Sequence, residues 1–198
     1  MASIILLPTE LLLLMDINTA IIQRRTIRRF LPKPVDKQTL LDITSLSRLY
    51  ASGGNLQPIR YAIVTEQATL DKVFDTLRWA AYLPDFEIQY QQRPMAYIIL
   101  TSEKENCQFD LGAAATTLML AAEEKGLATC CLGAFDRKSL SEFLPLQHEQ
   151  KPLLVVALGY AAQRSKTVDY CGDVKYYEDA DGCLCVPKRT LDDVVTVF

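Results

Sequence analysis

A mixed fold of helices packed about a central sheet is what this sequence predicts, and three observations predict it. Continuous apolar runs at 61–64, 95–101 and 152–159 have the length of buried strands. Stretches with apolar residues three and four apart lie between them, as helices require. No repeat, low-complexity linker or shift of composition divides the 198-residue chain, and its 49% apolar content suits one domain with a substantial core.

Each element has its own signal. Asp16 stands as N-cap to a short first helix marked by Ile17, Ala20 and Ile21, which gives way to an extended segment before Pro32 and Pro34. A helix over 37–49 follows, with Asp36 as N-cap and Val35 set against Leu40 as a hydrophobic staple. After a strand over 61–65, the residues Leu70, Val73, Phe74 and Leu77 recur at helical spacing. The stretch 81–93 holds two tyrosines, a phenylalanine and Pro84 without periodicity and reads as a loop or lid. A second strand covers 95–101. The helix over 110–125, stopped by Gly126, carries apolar or small residues on nearly every face. Its Gly112, Ala113, Ala114 and Ala115 permit close helix contact, either within the chain or along a dimer spine. Asp136 caps a short helix through Leu140 and Phe143, 152–159 forms a strand covered on both faces, and the tail 182–198 is too apolar to float free.

The formal net charge of -3 argues against nucleic acid, because phosphate-backbone binders show a basic face and here the positive charge is local. Four arginines fall within positions 24–29, in Arg24-Arg25-Thr26-Ile27-Arg28-Arg29-Phe30, a grouping suited to one small anion. The first fourteen residues are apolar at 4–7 and 11–14 but are split by Pro8, Thr9 and Glu10 and lack a leading Lys or Arg. They match neither a spanning helix nor a signal peptide, so no membrane partner is expected and the domain proper is read as 15–198. Residues 1–14 are then an extension, from an upstream start codon or an added packing segment. The six cysteines, Cys107, Cys130, Cys131, Cys171, Cys183 and Cys185, read as reduced thiols of a cytoplasmic protein. No Cys-x-x-Cys pair is present and His148, in a polar turn, is the only histidine, so no metal site is expected. Cys130-Cys131 and Cys183-x-Cys185 are read as core or strand packing ahead of redox pairs.

A second run, Ser52-Gly53-Gly54-Asn55-Leu56-Gln57-Pro58, ends at the start of an apolar stretch. Together with the arginine element, with Gly126-Leu127-Ala128-Thr129-Cys130-Cys131-Leu132-Gly133-Ala134-Phe135, with Ala157-Leu158-Gly159-Tyr160 and with Val186-Pro187-Lys188-Arg189, it resembles the FMN-dependent nitroreductase family. The five elements occur in the family's order from residue 16 to 198. That resemblance implies an α+β fold, a mixed central sheet flanked by helices, in an intertwined homodimer. Two FMN sites are then made from both subunits, with a C-terminal extension crossing onto the partner.

The resemblance also implies roles. Arg24, Arg25, Thr26 and Arg28 hold the FMN phosphate and ribityl end, and Lys188 and Arg189 close on the same group. Three charged hydrogen bonds would supply roughly 5 to 9 kcal/mol, against about 8.2 kcal/mol for a micromolar dissociation constant. Ser52, Gly53, Asn55 and Gln57 suit an isoalloxazine edge, since small residues allow close approach and amides both donate and accept. Gly133 and Ala134 resemble the segment whose backbone lies against the flavin. Trp79, Tyr82 and Phe86 are candidates for the wall of an acceptor pocket. The implied reaction takes hydride from NADH or NADPH and passes it to a nitroaromatic, quinone or related acceptor by ping-pong chemistry, with no side-chain acid or base. Reductive dehalogenation on the same fold, or a non-enzymatic flavin sensor, are the alternatives; rapid bleaching of bound flavin by a nicotinamide separates an enzyme from a sensor.

Overall fold

The computed structural model describes residues 15–198 apart from Glu105 and His148. The readings of residues 1–14 and of His148 lie outside the described residues. Helix α1 (Ile17–Gln23) begins where the Asp16 carboxylate accepts the N–H groups of Asn18 and Thr19 at 2.9 and 3.0 Å. Asp36 caps α2 (Lys37–Ser47) by accepting from Thr39 at 3.0 Å, and both Val35 and Leu40 enter one core cluster. The helix stops two residues short of the expected 49, because Leu49 and Tyr50 donate to carbonyls three residues back and tighten the last turn.

Strand β1 (Arg60–Val64), α3 (Gln67–Thr76), β2 (Ala96–Ser102), α4 (Gln108–Glu124), β3 (Ala128–Leu132), α5 (Arg137–Phe143) and β4 (Lys151–Gly159) follow. The four strands form one antiparallel sheet in the order β1-β2-β4-β3. Helices cover both faces. On one side α2 and α4 pack Leu40, Ile43, Ala114 and Leu118 against Ile98, Leu100, Val156 and Leu158. On the other, Leu70 and Val73 of α3 and Leu140 of α5 pack against Tyr97, Ile99, Val155 and Ala157. This double cover explains why the two central strands are continuously apolar even though every pairing is antiparallel.

A second, smaller sheet joins β5 (Ser165–Asp169), β7 (Leu184–Lys188) and β6 (Tyr177–Glu178), with β5 parallel and β6 antiparallel to the middle strand. Its outer strands were not predicted: Ser-Lys-Thr-Val-Asp and Tyr-Glu are too short and polar to register as strands. The turn between β6 and β7 is held by Asp179, whose carboxylate accepts from Lys166 at 2.9 Å and from the N–H groups of Asp181 and Cys183 at 3.1 and 2.9 Å. Those bonds, the Lys166 one foremost, hold its carboxyl below the usual carboxylate range, at a pKa of about 2.

The tail read as too apolar to float free divides in two. Strand β7 buries Leu184 and Cys185, but beyond it Leu191, Val194, Val197 and Phe198 are all more than half exposed. These apolar residues find little cover among the described residues.

The extended segment after α1 is anchored by Phe30, which is fully buried and lies against Gly159. A methyl group at Gly159 would stand 2.9 Å from the Phe30 ring, so the glycine of the Ala-Leu-Gly-Tyr element is there for close approach.

Candidate functional site

The arginine segment runs alongside the edge of the main sheet. Thr26 bridges in parallel to Thr129, the Ile27 N–H donates to the Thr129 carbonyl at 3.0 Å, and Phe30 bridges to Ala161. Ile27 and Phe30 are buried, while Arg24, Thr26 and Arg28 are half-buried. Arg25 is turned away. Its guanidinium donates back to the carbonyls of Ile21 and Ile22, where a cation satisfies the exposed end of α1.

Arg28 and Arg29 are neighbours with different fates. The Arg29 Nη1 pairs with Glu178 at 2.7 Å, and its guanidinium lies 4.3 Å from the Phe86 ring centre. The guanidinium of Arg28 lies 4.5 Å from the Tyr176 ring centre, and its buried Nε and Nη1 have no partner among the described residues. The Arg28 N–H donates to Gln163 Oε1 at 3.1 Å, and Gln163 Nε2 donates to Glu178 at 3.1 Å. Unpartnered buried cationic donors are costly, and an anionic oxygen from outside the chain is what would relieve them.

Arg24 and Arg25 approach Glu123 in the last turn of α4; burial raises the pKa of Glu123 and the two arginines oppose that rise. Burial also pushes the thiols of Cys130 and Cys131 up to about 12 and 11, against the pull of Arg28 and Arg24. Both remain thiols at neutral pH and serve as packing, with Cys131 Sγ against Met119 Sδ at 3.4 Å. Among the described residues no cluster of His, Cys, Asp and Glu can hold a metal, and no helix is long and apolar enough to cross a membrane.

The amide loop lies elsewhere. Ser52 Oγ donates to Asp110 in the first turn of α4 and accepts the Gln57 N–H at 2.8 Å. Gly54, Asn55 and Gln57 all take left-handed φ values, 55°, 54° and 46°. For the two residues with side chains this is strained backbone, and the Asn55 and Gln57 amides bond each other at 2.9 Å in an exposed loop. Asp110 and Glu123 are thirteen residues apart along one helix, which at 1.5 Å per residue separates the amide loop from the arginines by about 20 Å.

Gly133 and Ala134 follow β3, exposed, with open space where a Cβ on Gly133 would stand. The Ala134 carbonyl accepts the Arg78 N–H at 3.0 Å and Asp136 caps α5, which fixes the turn. Lys188 ends β7, and Arg189 lies 4.6 Å from the Tyr170 ring centre. The adjoining Pro187 lines a cleft of about 520 Å³ with Tyr82 and Tyr176, which sets this element on the Tyr176 side of Arg28.

The three aromatic candidates do not converge on one pocket. Trp79 stacks on Phe74 at 5.5 Å as core packing, Tyr82 packs on Tyr176 at 5.0 Å, and Phe86 lies under Arg29. Gln163, Tyr176 and Glu178 were missed altogether. They sit in short polar strands and connections where no spacing marks them.

Residues 21–160 match the Nitroreductase family. A 4-nitrobenzoate reductase of Pseudomonas putida is 25% identical over 76% of this chain and 87% of its own. A protein of Archaeoglobus fulgidus whose name includes the words NAD(P)H nitroreductase is also 25% identical, over 69% of this chain and 80% of its own. Among solved structures, a Bacteroides fragilis nitroreductase with bound FMN superposes with a TM-score of 0.65 at 20% identity, over 80% of this chain and 97% of that one. A nitroreductase family protein of Clostridium novyi gives 0.63 at 17% identity, over 74% and 87%. These superpositions establish the fold, and with the sequence match across most of the chain they lead to one statement: the chain belongs to the Nitroreductase family.

Proposed function

We propose that this chain is a cytoplasmic, homodimeric FMN oxidoreductase that takes hydride from NADH or NADPH and, in a second half-reaction, reduces a nitroaromatic, quinone or related small acceptor. The observation that carries the reading is the pair of buried donors on Arg28 that have no partner among the described residues, in the same segment as Arg24 and Thr26. FMN, when bound, supplies the hydride-accepting and hydride-donating ring.

The residues present fit that group. Arg24, Thr26 and Arg28 offer charged and hydroxyl donors to a phosphate and its ribityl chain, while Arg25 serves α1. Lys188 and Arg189 close from the small-sheet side. Gly133 and Ala134 bring backbone within reach of a ring edge, where an N–H favours charge developing on the reduced ring. Tyr82, covering Tyr176, and Phe86 are the lid residues nearest the arginine segment and form its aromatic wall.

Two chains complete one site in this reading. The amide loop and the arginines stand about 20 Å apart at opposite ends of α4. Antiparallel contact between two copies of that helix brings the loop of one chain to the arginines of the other. Several features support such contact: Phe109, Gly112 and Thr116 form an exposed stripe on α4, Ile17, Ile22, Leu46 and Leu49 are exposed beside it, and the apolar tail past β7 is uncovered.

The test is the visible spectrum of protein reconstituted with FMN, followed during anaerobic addition of NADPH and then NADH. Bleaching of a bound flavin band by either donor is expected; 4-nitrobenzoate, the compound in the Pseudomonas relative's name, is the first acceptor to add back. A stable band that ignores both donors overturns the oxidoreductase reading in favour of a sensor, and the lack of any bound flavin overturns the site.

A further inference from the structure

Residues from three remote parts of the chain converge on Arg28 and Arg29. The lid contributes Tyr82 and Phe86, the connection after β4 contributes Gln163, and the approach to β6 contributes Tyr176 and Glu178. Their effects on the two arginines are opposite. Glu178 takes up Nη1 of Arg29 in a 2.7 Å ion pair, and the Glu87 carbonyl accepts from its Nε at 3.4 Å. Tyr176 offers Arg28 only the face of a ring, 4.5 Å from its guanidinium carbon.

A guanidinium binds an aromatic ring through its flat face and hydrogen-bonds through its edge, so the two uses do not compete. Tyr176 therefore holds the Arg28 guanidinium against its ring without consuming a donor, which agrees with Nε and Nη1 lacking partners among the described residues. Tyr82 backs the Tyr176 ring at 5.0 Å, and Gln163 pins the Arg28 backbone from the other direction at 3.1 Å. We propose that Tyr176 is the positioning residue that orients Arg28 toward the phosphate of the flavin, making the small sheet the selector of FMN over uncharged riboflavin; this rests on the FMN reading above.

Holding a long side chain in its binding plane saves ordering cost on association. Replacing the ring by an aliphatic group of similar size forfeits that saving and the ring contact, while leaving the apolar packing largely in place. Contributions of this kind correspond to about a tenfold change in affinity.

The experiment titrates purified full-length apoprotein with FMN and with riboflavin, by flavin fluorescence, for the wild type, Tyr176→Phe, Tyr176→Leu, Arg28→Gln and the Tyr176→Leu/Arg28→Gln pair, with apoprotein melting temperatures read alongside. Tyr176→Leu is expected to weaken FMN about tenfold and riboflavin less than twofold. Tyr176→Phe keeps the FMN preference, and Tyr176→Leu has no further effect once Arg28 is Gln. Equal losses for both flavins, or a Tyr176→Leu loss that persists in the Arg28→Gln background, would assign Tyr176 a purely structural role and overturn the proposal. A wild type that binds FMN no better than riboflavin would instead defeat the phosphate reading itself, and the proposal with it.

Discussion

The two ends of α4 are built differently. At its C-terminal end the arginine segment is locked on every side: Phe30 seats on Gly159, Ile27 bonds Thr129, and the small sheet clamps Arg28 and Arg29 through Tyr176, Gln163 and Glu178. At its N-terminal end the amide loop is joined to α4 through the Ser52 hydroxyl, is otherwise held by bonds within its own neighbourhood such as Arg60 to the Gln57 carbonyl at 2.7 Å, and keeps Gly54, Asn55 and Gln57 in left-handed backbone. In the proposed reading, one end is the anion site. The other is strained backbone whose polar groups bond one another, as befits a loop that completes its contacts on another surface.

The largest effect should follow from stripping the first end of its charge. Arg24→Ala with Arg28→Ala removes two charge-assisted contacts of about 1.5 to 3 kcal/mol each, so FMN affinity should fall by roughly 100-fold or more while circular dichroism stays native. Stoichiometric flavin in the purified double variant would break the assignment. Gly159→Ala acts on the same end through packing. Its methyl group meets Phe30 at 2.9 Å, and overpacking of this kind costs about 1 to 3 kcal/mol, measurable as a lower denaturation midpoint.

Ser52→Ala addresses the opposite end. Losing the acceptor for the Gln57 N–H and the donor to Asp110 should cost about 1 kcal/mol, with FMN weakened but the phosphate end untouched. If the FMN-to-riboflavin preference changes as well, the two ends are not independent. The smallest effect concerns the turn that supports the small sheet. Asp179 has its pKa lowered to about 2, so its stabilisation is complete above its ordinary value near 4 and is lost as pH falls through about 2. Melts of wild type and Asp179→Asn between pH 5 and 2 should converge as the pH drops; a constant gap would remove the Lys166–Asp179 contact from the account.

Much of the main sheet and its helices was legible because caps and apolar spacing coincide. Asp16, Asp36 and Asp136 each accept the backbone N–H groups that their positions imply. Strands β2 and β4 announce themselves as buried because helices cover both faces of the sheet. The second sheet was illegible for the converse reason: β5 and β6 bury little, and their order depends on side-chain bonds such as Asp179 to Lys166 that no periodicity encodes.

The site was legible in residue type but not in geometry. Four arginines in six positions speak for an anion, yet their division of labour depends on contacts with residues more than 130 positions away, Gln163, Tyr176 and Glu178. Arg25 and Arg29 look equivalent to Arg24 and Arg28 in sequence; only the fold gives one to the end of α1 and the other to Glu178. Likewise, nothing in the Ser-Gly-Gly-Asn-Leu-Gln-Pro run says that it lies at the far end of α4 from the arginines.

That separation carries the central claim, that each flavin is held by the arginines of one chain and the amide loop of its partner. The most direct test refolds together an Arg24→Ala/Arg28→Ala chain and an Asn55→Ala/Gln57→Ala chain, each deficient in FMN binding alone, and measures bound FMN in the separated heterodimer. Recovery of one tightly bound FMN per heterodimer is the predicted result, because one of its two sites is assembled wholly from intact elements. A heterodimer that binds no flavin better than either parent would contradict the shared site.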